Sequence, residues 1–197
     1  MKERRVLITC GIFDDELQRA LEPLKDKYEI HIIRLMPGYH CLIEELEKKL
    51  TEALSSDLIQ DKNEARLFIG RNCLPDMREF AARHGVKLLP TDNCLSAMVG
   101  KEKLIELEKD KTMVLTPAWI RKMFLHPEGI PAFLNWDETD FRVNFGRYDR
   151  FLILETSELP TDLELLECFE LFGGNGVIET IPCPPDYFNN LVSEFLA

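Results

Sequence analysis

The sequence predicts an α/β protein with three layers: a mainly parallel, Rossmann-like sheet with helices on both faces. Short apolar runs typical of strands alternate with longer segments in which apolar residues recur at helical spacing, the pattern of parallel α/β folds. Hydrophobic residues make up 45% of the chain, which is enough for a substantial core. A length of 197 residues predicts a single α/β domain over residues 1–197.

Seven strands are predicted where an apolar run is bounded by glycine, proline or polar residues. They cover residues 4–10, 28–36, 65–69, 86–89, 112–115, 150–155 and 177–181. The helices between and after them are predicted near residues 13–24, 41–55, 75–85, 95–99, 101–109, 117–124, 160–172 and 185–196.

Local signals support several of these helices. Thr116 and Pro117 form a helix start, because threonine caps a helix and proline suits its first turn. In the helix at 160–172 we predict that Leu163 and Leu166 face inward and that Cys168 packs in the core. Residues 129–148 are predicted as an irregular excursion rich in aromatic residues, which covers the sheet or contacts a partner.

Four candidate ligands follow the first four predicted strands: Cys10, His40, Cys73 and Cys94. Because the carboxyl ends of parallel strands share one edge of the sheet, we expect these side chains to meet there. Three thiols and an imidazole are ligands for zinc or for an iron–sulfur cluster. The sequence therefore predicts a metal site, assembled by the fold because the chain has no Cys-x-x-Cys pair.

Other interpretations of these residues stay open. Cys41 adjoins His40 and is an alternative ligand, and Cys183 follows the seventh strand and is a further one. Buried cysteines often serve only as small apolar side chains. A third interpretation is a thiol nucleophile, with Cys10 or Cys94 activated by His40.

Charge and motifs exclude several classes of function. A formal net charge of −11 disfavours nucleic-acid binding, because such a surface repels phosphates. No apolar run approaches the length of a membrane span, and the acidic residues soon after the first strand argue against a secretory signal, so a cytoplasmic location is expected. Gly-x-Gly-x-x-Gly, Walker and Gly-x-Ser-x-Gly motifs are absent.

Six short stretches carry a resemblance to a known family. They are Cys10-Gly11 before an acidic helix start, His40 before Leu42-Ile43-Glu44-Glu45-Leu46, Gly70-Arg71-Asn72-Cys73, Leu89-Pro90-Thr91-Asp92-Asn93-Cys94, Met98-Val99-Gly100, and Leu115-Thr116-Pro117-Ala118-Trp119-Ile120. In their order and spacing, the chain resembles the uncharacterised family catalogued as domain of unknown function 1638 (DUF1638). That family has no assigned reaction.

The resemblance implies an association with the corrinoid-dependent methyltransferase systems of anaerobes. It points to an accessory enzyme or redox factor in corrinoid-dependent methyl transfer or one-carbon metabolism. A corrinoid is then a candidate cofactor, and a corrinoid protein or methyltransferase a candidate partner. The alternative is a non-catalytic binding or assembly partner of a corrinoid methyltransferase, with structural thiols and the aromatic segment 129–148 as its interface.

Five further residues beside the same loops are expected to contact the bound group: Gly11, Arg71, Asp92, Thr116 and Trp119. Gly11 allows a tight turn, and Asp92 can orient Cys94 or the ligand through hydrogen bonds. The family has an arginine where this chain has Thr91, and Arg71 is the expected substitute for binding an anion. Thr116 and Trp119 are expected to wall the site.

Overall fold

All seven strands that the structure describes lie in parallel sheets. The computed structural model describes residues 2–174 and 176–197, and it divides into two compact units, Met1–Ala97 with Pro185–Ala197 and Met98–Pro184. The first unit contains a four-stranded sheet and the second a three-stranded sheet. Compact units of this kind occur within one domain as well as in two, so the single-domain prediction stays a prediction.

The strand order of the first unit's sheet reverses at β1. Its strands are β1 (Glu3–Cys10), β2 (Tyr28–Leu35), β3 (Ala65–Phe68) and β4 (Lys87–Leu88), in the parallel order β2-β1-β3-β4. The chain therefore goes from β1 to one side for β2 and returns to the other side for β3. In open α/β sheets this switch point, at the carboxyl ends of the two strands, is where ligands bind.

Helices cover both faces of this first sheet, which confirms the predicted three-layer α/β fold class. The helices of the unit are α1 (Asp14–Leu21), α2 (Ile43–Leu54), α3 (Met77–His84), the start of α4 (Cys94–Val99) and α10 (Asp186–Leu196). On one face, Ile8 and Leu67 pack with buried residues of α2 and α3. On the other face, the Phe68 ring lies 5.9 Å from Phe188 and 5.6 Å from Phe195 of α10, centroid to centroid.

The second unit has a sequential sheet with the order β5-β6-β7. Its strands are β5 (Thr112–Leu115), β6 (Arg150–Glu155) and β7 (Val177–Pro182), and its helices are α5 (Lys101–Leu107), α6 (Pro117–Trp119), a π-helical turn at Ile120–Phe124, α7 (Ile130–Phe133), α8 (Glu138–Phe145) and α9 (Asp162–Leu171). Thr116 caps α6 by accepting a hydrogen bond from the Trp119 backbone at 3.3 Å, as predicted.

The aromatic segment 129–148 contains two short helices joined by non-helical residues. It contains α7 and α8, and α8 begins with a capping box at Asp137, whose carboxylate accepts hydrogen bonds from the backbone of Thr139 and Asp140. Phe141 is 1% exposed, and its ring packs 5.5 Å from Trp136. Phe141 therefore contributes to the core of the second unit, whereas Phe133, Trp136 and Phe145 are only half-buried. The interface expected of this segment stays a prediction.

Helix α9 buries a different face from the one predicted. Leu163 and Leu166 are 64% and 51% exposed, so the expectation that they face inward is wrong, whereas Cys168 is buried as predicted. Leu165 and Cys168 line a small cavity together with Phe151 of β6. The helix has four acidic residues spread along it, and its leucines occur on more than one side, so the sequence does not identify a single buried face.

Among the helices of residues 2–174 and 176–197, none is long and apolar enough to cross a membrane.

Helix α2 also begins later than predicted. Gly38 has a left-handed backbone (φ 101°), and a 3₁₀ turn at Tyr39–Cys41 follows it before α2 starts at Ile43. His40 therefore lies in that turn rather than at the N-terminus of the helix. This turn places His40 and Cys41 beyond the carboxyl end of β2.

Candidate functional site

Gly11 allows the loops after β1 and β2 to pack closely. Cys10 is the last residue of β1, and a 3₁₀ turn at Gly11–Phe13 follows it. A Cβ atom on Gly11 would lie 3.3 Å from Cδ of Pro37 and 3.4 Å from the carbonyl oxygen of Leu35. Gly11 therefore allows Cys10 to lie next to the segment that carries His40, and its expected contact with a bound group stays a prediction.

The loops after β3 and β4 are in direct backbone contact. The N–H groups of Arg71 and Asn72 donate to the carbonyls of Thr91 and Asp92 at 2.9 Å and 2.8 Å. A Cβ atom on Gly70 would lie only 2.6 Å from Cα of Asn93. Only glycine fits at Gly70, and the contact fixes the loop that carries Cys73 against the loop that carries Cys94.

Asn93 holds Cys94 at the first position of α4. Its side-chain oxygen accepts a hydrogen bond from the Ser96 backbone at 2.7 Å, and the Ser96 hydroxyl accepts one from the Asn93 backbone at 3.0 Å. Asparagine is one of the residues favoured at the position before a helix, so the sequence carries a local signal for this cap. Gly70 was missed, because its need for glycine arises from a contact between distant loops.

Arg71 and Asp92 form an ion pair across the same two loops. The Arg71 guanidinium donates to the Asp92 carboxylate at 2.7 Å, and the two side chains are 26% and 20% exposed. Part of the charge that would attract an anion is therefore already compensated. The structure gives both residues a role in joining the loops, while anion binding by Arg71 and ligand contact by Asp92 stay predictions.

Three of the four predicted ligands line one small cavity at the switch point. Cys10, His40 and Cys73 border a space of about 20 Å³, large enough for one water-sized species. The other residues around it are Leu35, Met36, Gly38, Tyr39, Leu46 and Ile69. Cys94 lies near enough for its negative charge to raise the pKa of both Cys10 and Cys73. Three of the four candidates therefore share this cavity, while ligation of one metal by all four stays a prediction.

Burial keeps the two thiols of the cavity protonated at neutral pH. It raises the pKa of Cys10 to about 12, and repulsion from Cys94, Cys73 and Asp14 adds to this effect, while a hydrogen bond with the Ile12 backbone opposes it. Burial followed by repulsion from Cys94 raises the pKa of Cys73 to about 12. A protonated thiol is a poor nucleophile, which argues against Cys10 in that role without an added positive charge.

His40 is neutral at pH 7. The residue is exposed on one side and borders the cavity on the other, and burial lowers the pKa of its imidazole. A neutral imidazole has the lone pair that a metal needs. Among residues 2–174 and 176–197, no three His, Cys, Asp or Glu side chains are placed as they stand to hold one metal ion.

The remaining candidates divide between the two units. Cys41 is exposed, and its charge contributes to the raised pKa of Cys73, so it lies in the neighbourhood of the cavity. Cys183, Thr116 and Trp119 belong to the second unit. Their predicted contributions to the site stay predictions.

Comparison with protein families gives one match. A family model described as "Protein of unknown function (DUF1638)" matches residues 34–190. The chain belongs to the DUF1638 family. The matched region includes His40, Cys73 and Cys94, whereas Cys10 precedes it. No curated protein and no solved structure matches the chain.

Proposed function

We propose that this DUF1638 protein binds a thiolate-ligated metal centre, either zinc or an iron–sulfur cluster, through Cys10, His40, Cys73 and Cys94. The observation that carries this proposal is the small cavity at the switch point, which Cys10, His40 and Cys73 line together. Donors of this kind, brought from separate strand ends to one edge of a sheet, suit a functional site better than a local structural clip.

The chemistry of these donors fits a cation. Crowded thiols resist ionisation because the resulting thiolates repel one another, and a bound metal ion supplies the positive charge that stabilises them. The neutral imidazole of His40 is already in its metal-binding form. The cavity has room for a single ion, whereas a cluster requires the surrounding loops to open.

The protein residues would have separate tasks at such a centre. Zinc would supply Lewis acidity and a cluster would supply one-electron transfer. Cys10, Cys73, Cys94 and His40 would hold the group, and Gly70 would keep two of the four loops in register. The apolar residues that line the cavity lower the hydration of the thiols.

We further propose that the centre serves corrinoid-dependent methyl transfer or one-carbon metabolism, as an accessory enzyme or redox factor. This part rests on the resemblance described above and not on the geometry. A corrinoid protein or a methyltransferase is the proposed partner, and a corrinoid is the proposed second ligand. The test is whether the metal-loaded protein, but not Cys73→Ser, changes the absorption spectrum of cobalamin or of a purified corrinoid protein.

Metal analysis after expression with zinc and iron and purification without oxygen tests the metal proposal. We expect about one zinc ion per chain, or iron with matching acid-labile sulfide and broad visible absorption. Cys73→Ser should lose the metal while keeping its circular dichroism spectrum. Cys183→Ser, which removes a thiol of the second unit, should keep it. A folded wild-type protein without stoichiometric metal, or equal metal in Cys73→Ser, would overturn the proposal.

Protonation of the thiols gives an independent test. Because the pKa values of Cys10 and Cys73 are both raised to about 12, zinc must displace a proton from each of these thiols at pH 7. The apparent zinc affinity should therefore rise with pH, by up to about 100-fold per unit for two protons. Competition with a chromophoric zinc chelator, from about pH 6 to about pH 8, measures how the apparent zinc affinity changes with pH. An affinity that does not change with pH would contradict thiolate ligation by these residues.

A further inference from the structure

The loops that carry Cys73 and Cys94 run side by side immediately before the two cysteines. The Asn72 backbone N–H donates to the Asp92 carbonyl at 2.8 Å, which is the second of two hydrogen bonds between these loops. A Cβ atom on Gly70 would lie 2.6 Å from Cα of Asn93, the residue before Cys94, and Cys73 follows in the 3₁₀ turn that begins at Arg71. The two cysteines therefore lie on adjacent loops that are in direct contact, as a disulfide requires.

Neither Cys73 nor Cys94 is in a disulfide, and both are half-buried, whereas Cys168 is fully buried. After burial, repulsion from Cys94 is the largest influence that raises the pKa of Cys73. Cys10 lines the same cavity as Cys73 but lies at the end of β1. In the described residues, no backbone hydrogen bond joins the loop after Cys10 to the loop that carries Cys94.

We propose that Cys73 and Cys94 form a reversible disulfide when the protein meets a hydroperoxide. One thiol, of which only a minor fraction is ionised at neutral pH, attacks the peroxide as the thiolate and becomes a sulfenic acid. The second thiol then loses its proton and displaces hydroxide from that sulfur. Overall, two thiols and one hydrogen peroxide give one disulfide and two water molecules. A dithiol reductant returns both cysteines to thiols by exchange.

The disulfide would couple oxidation to loss of the metal centre. It removes two of the four donors, so a metal held by them would be released; this consequence rests on the proposed function, whereas the disulfide itself does not. The hydrogen bonds between the loops and the Asn93 cap already hold the two cysteines on adjacent loops in the reduced protein.

Peptide mapping of the reduced, chelator-treated full chain tests the proposal. The protein is exposed to hydrogen peroxide, blocked with N-ethylmaleimide and digested with trypsin without reduction. Cleavage after lysine and arginine separates the candidate cysteines, with Cys73 in residues 72–78, Cys94 in 88–101, Cys10 in 6–19 and Cys41 in 35–48. We expect the main cross-link to join peptides 72–78 and 88–101, and to disappear when a dithiol is added.

Variants make the assignment specific. The cross-link should be lost in Cys73→Ser and kept in Cys10→Ser. A main cross-link that includes peptide 6–19 or 35–48, or no intramolecular cross-link in folded wild-type protein, would overturn the proposal. Because the wild-type map is decisive by itself, a variant that fails to fold does not remove the test.

A comparison of metal-loaded and metal-free protein separates this inference from the proposed function. If both hold, bound metal slows the cross-link and its formation releases the metal to a chromophoric chelator. If the cross-link forms at the same rate after incubation with zinc as without it, the disulfide is supported and the metal site is contradicted. If metal binds with stoichiometry but peroxide produces no cross-link, the metal site is supported and the disulfide is contradicted.

Discussion

The close approach of Gly70 to the loop after β4 makes Gly70→Ala the sharpest test of how the site is built. The new Cβ atom would lie 2.6 Å from Cα of Asn93, whereas ordinary contacts begin near 3.4 Å, so the loops must separate by about 0.8 Å (3.4 minus 2.6). Overpacking of this kind costs about 1–3 kcal/mol, and weakening the hydrogen bonds between the loops adds about 1 kcal/mol. We therefore expect a loss of about 2–4 kcal/mol in the free energy of unfolding.

The measurement is urea unfolding followed by far-ultraviolet circular dichroism. Both tryptophans, Trp119 and Trp136, lie in the second unit, so tryptophan fluorescence would report on the wrong part of the chain. Gly11→Ala is the matched control, because it adds the same methyl group at the same edge of the sheet but meets its nearest atom at 3.3 Å. Its expected cost is below about 1 kcal/mol.

The same variant should also disturb the chemistry. Displacing the Cys73 loop from the Cys94 loop should lower both the metal content and the yield of the peroxide cross-link, while Gly11→Ala should retain more of each. If Gly70→Ala unfolds at the wild-type urea concentration, or costs no more than Gly11→Ala, the argument that these loops are fixed by direct backbone contact is wrong.

Three further predictions concern stability. Hydrogen bonds from Arg121 lower the pKa of Glu164 to about 2. The stabilisation from this carboxylate is therefore complete above its ordinary pKa of 4.5 and is lost as the pH falls towards 2. Urea unfolding across this range should show a smaller loss in the free energy of unfolding for Glu164→Gln than for wild type. Asp92→Asn removes a partly exposed ion pair with Arg71 and should lower the free energy of unfolding by less than about 1 kcal/mol in the same assay. A loss several times larger would mean that this ion pair is essential for holding the two loops together. Phe68→Ala should cost about 3–5 kcal/mol in circular dichroism melts, because the ring is fully buried among other phenylalanines; a near-neutral result would contradict the packing of that face.

Features encoded by neighbouring residues could be predicted from the sequence alone. Strands β5 and β6 have the predicted bounds because each is a continuous apolar run with polar residues beside it. The start of α6 was predictable because Thr116 and Pro117 act within a single turn. The meeting of Cys10, His40 and Cys73 also followed from the sequence, since alternating strands and helices imply a parallel sheet whose carboxyl ends share an edge.

The tertiary structure decided whatever depends on residues that are distant along the chain. The need for glycine at Gly70 comes from a loop more than twenty residues away, and no local pattern records that contact. The exposure of Leu163 depends on which side of α9 meets β6, and the sequence leaves this open because leucines and acidic residues both occur on several sides of the helix. In the same way, the sequence determined that thiols would gather at one edge, whereas the distances and the loss of hydration that set their acidity arise only when the loops are packed together.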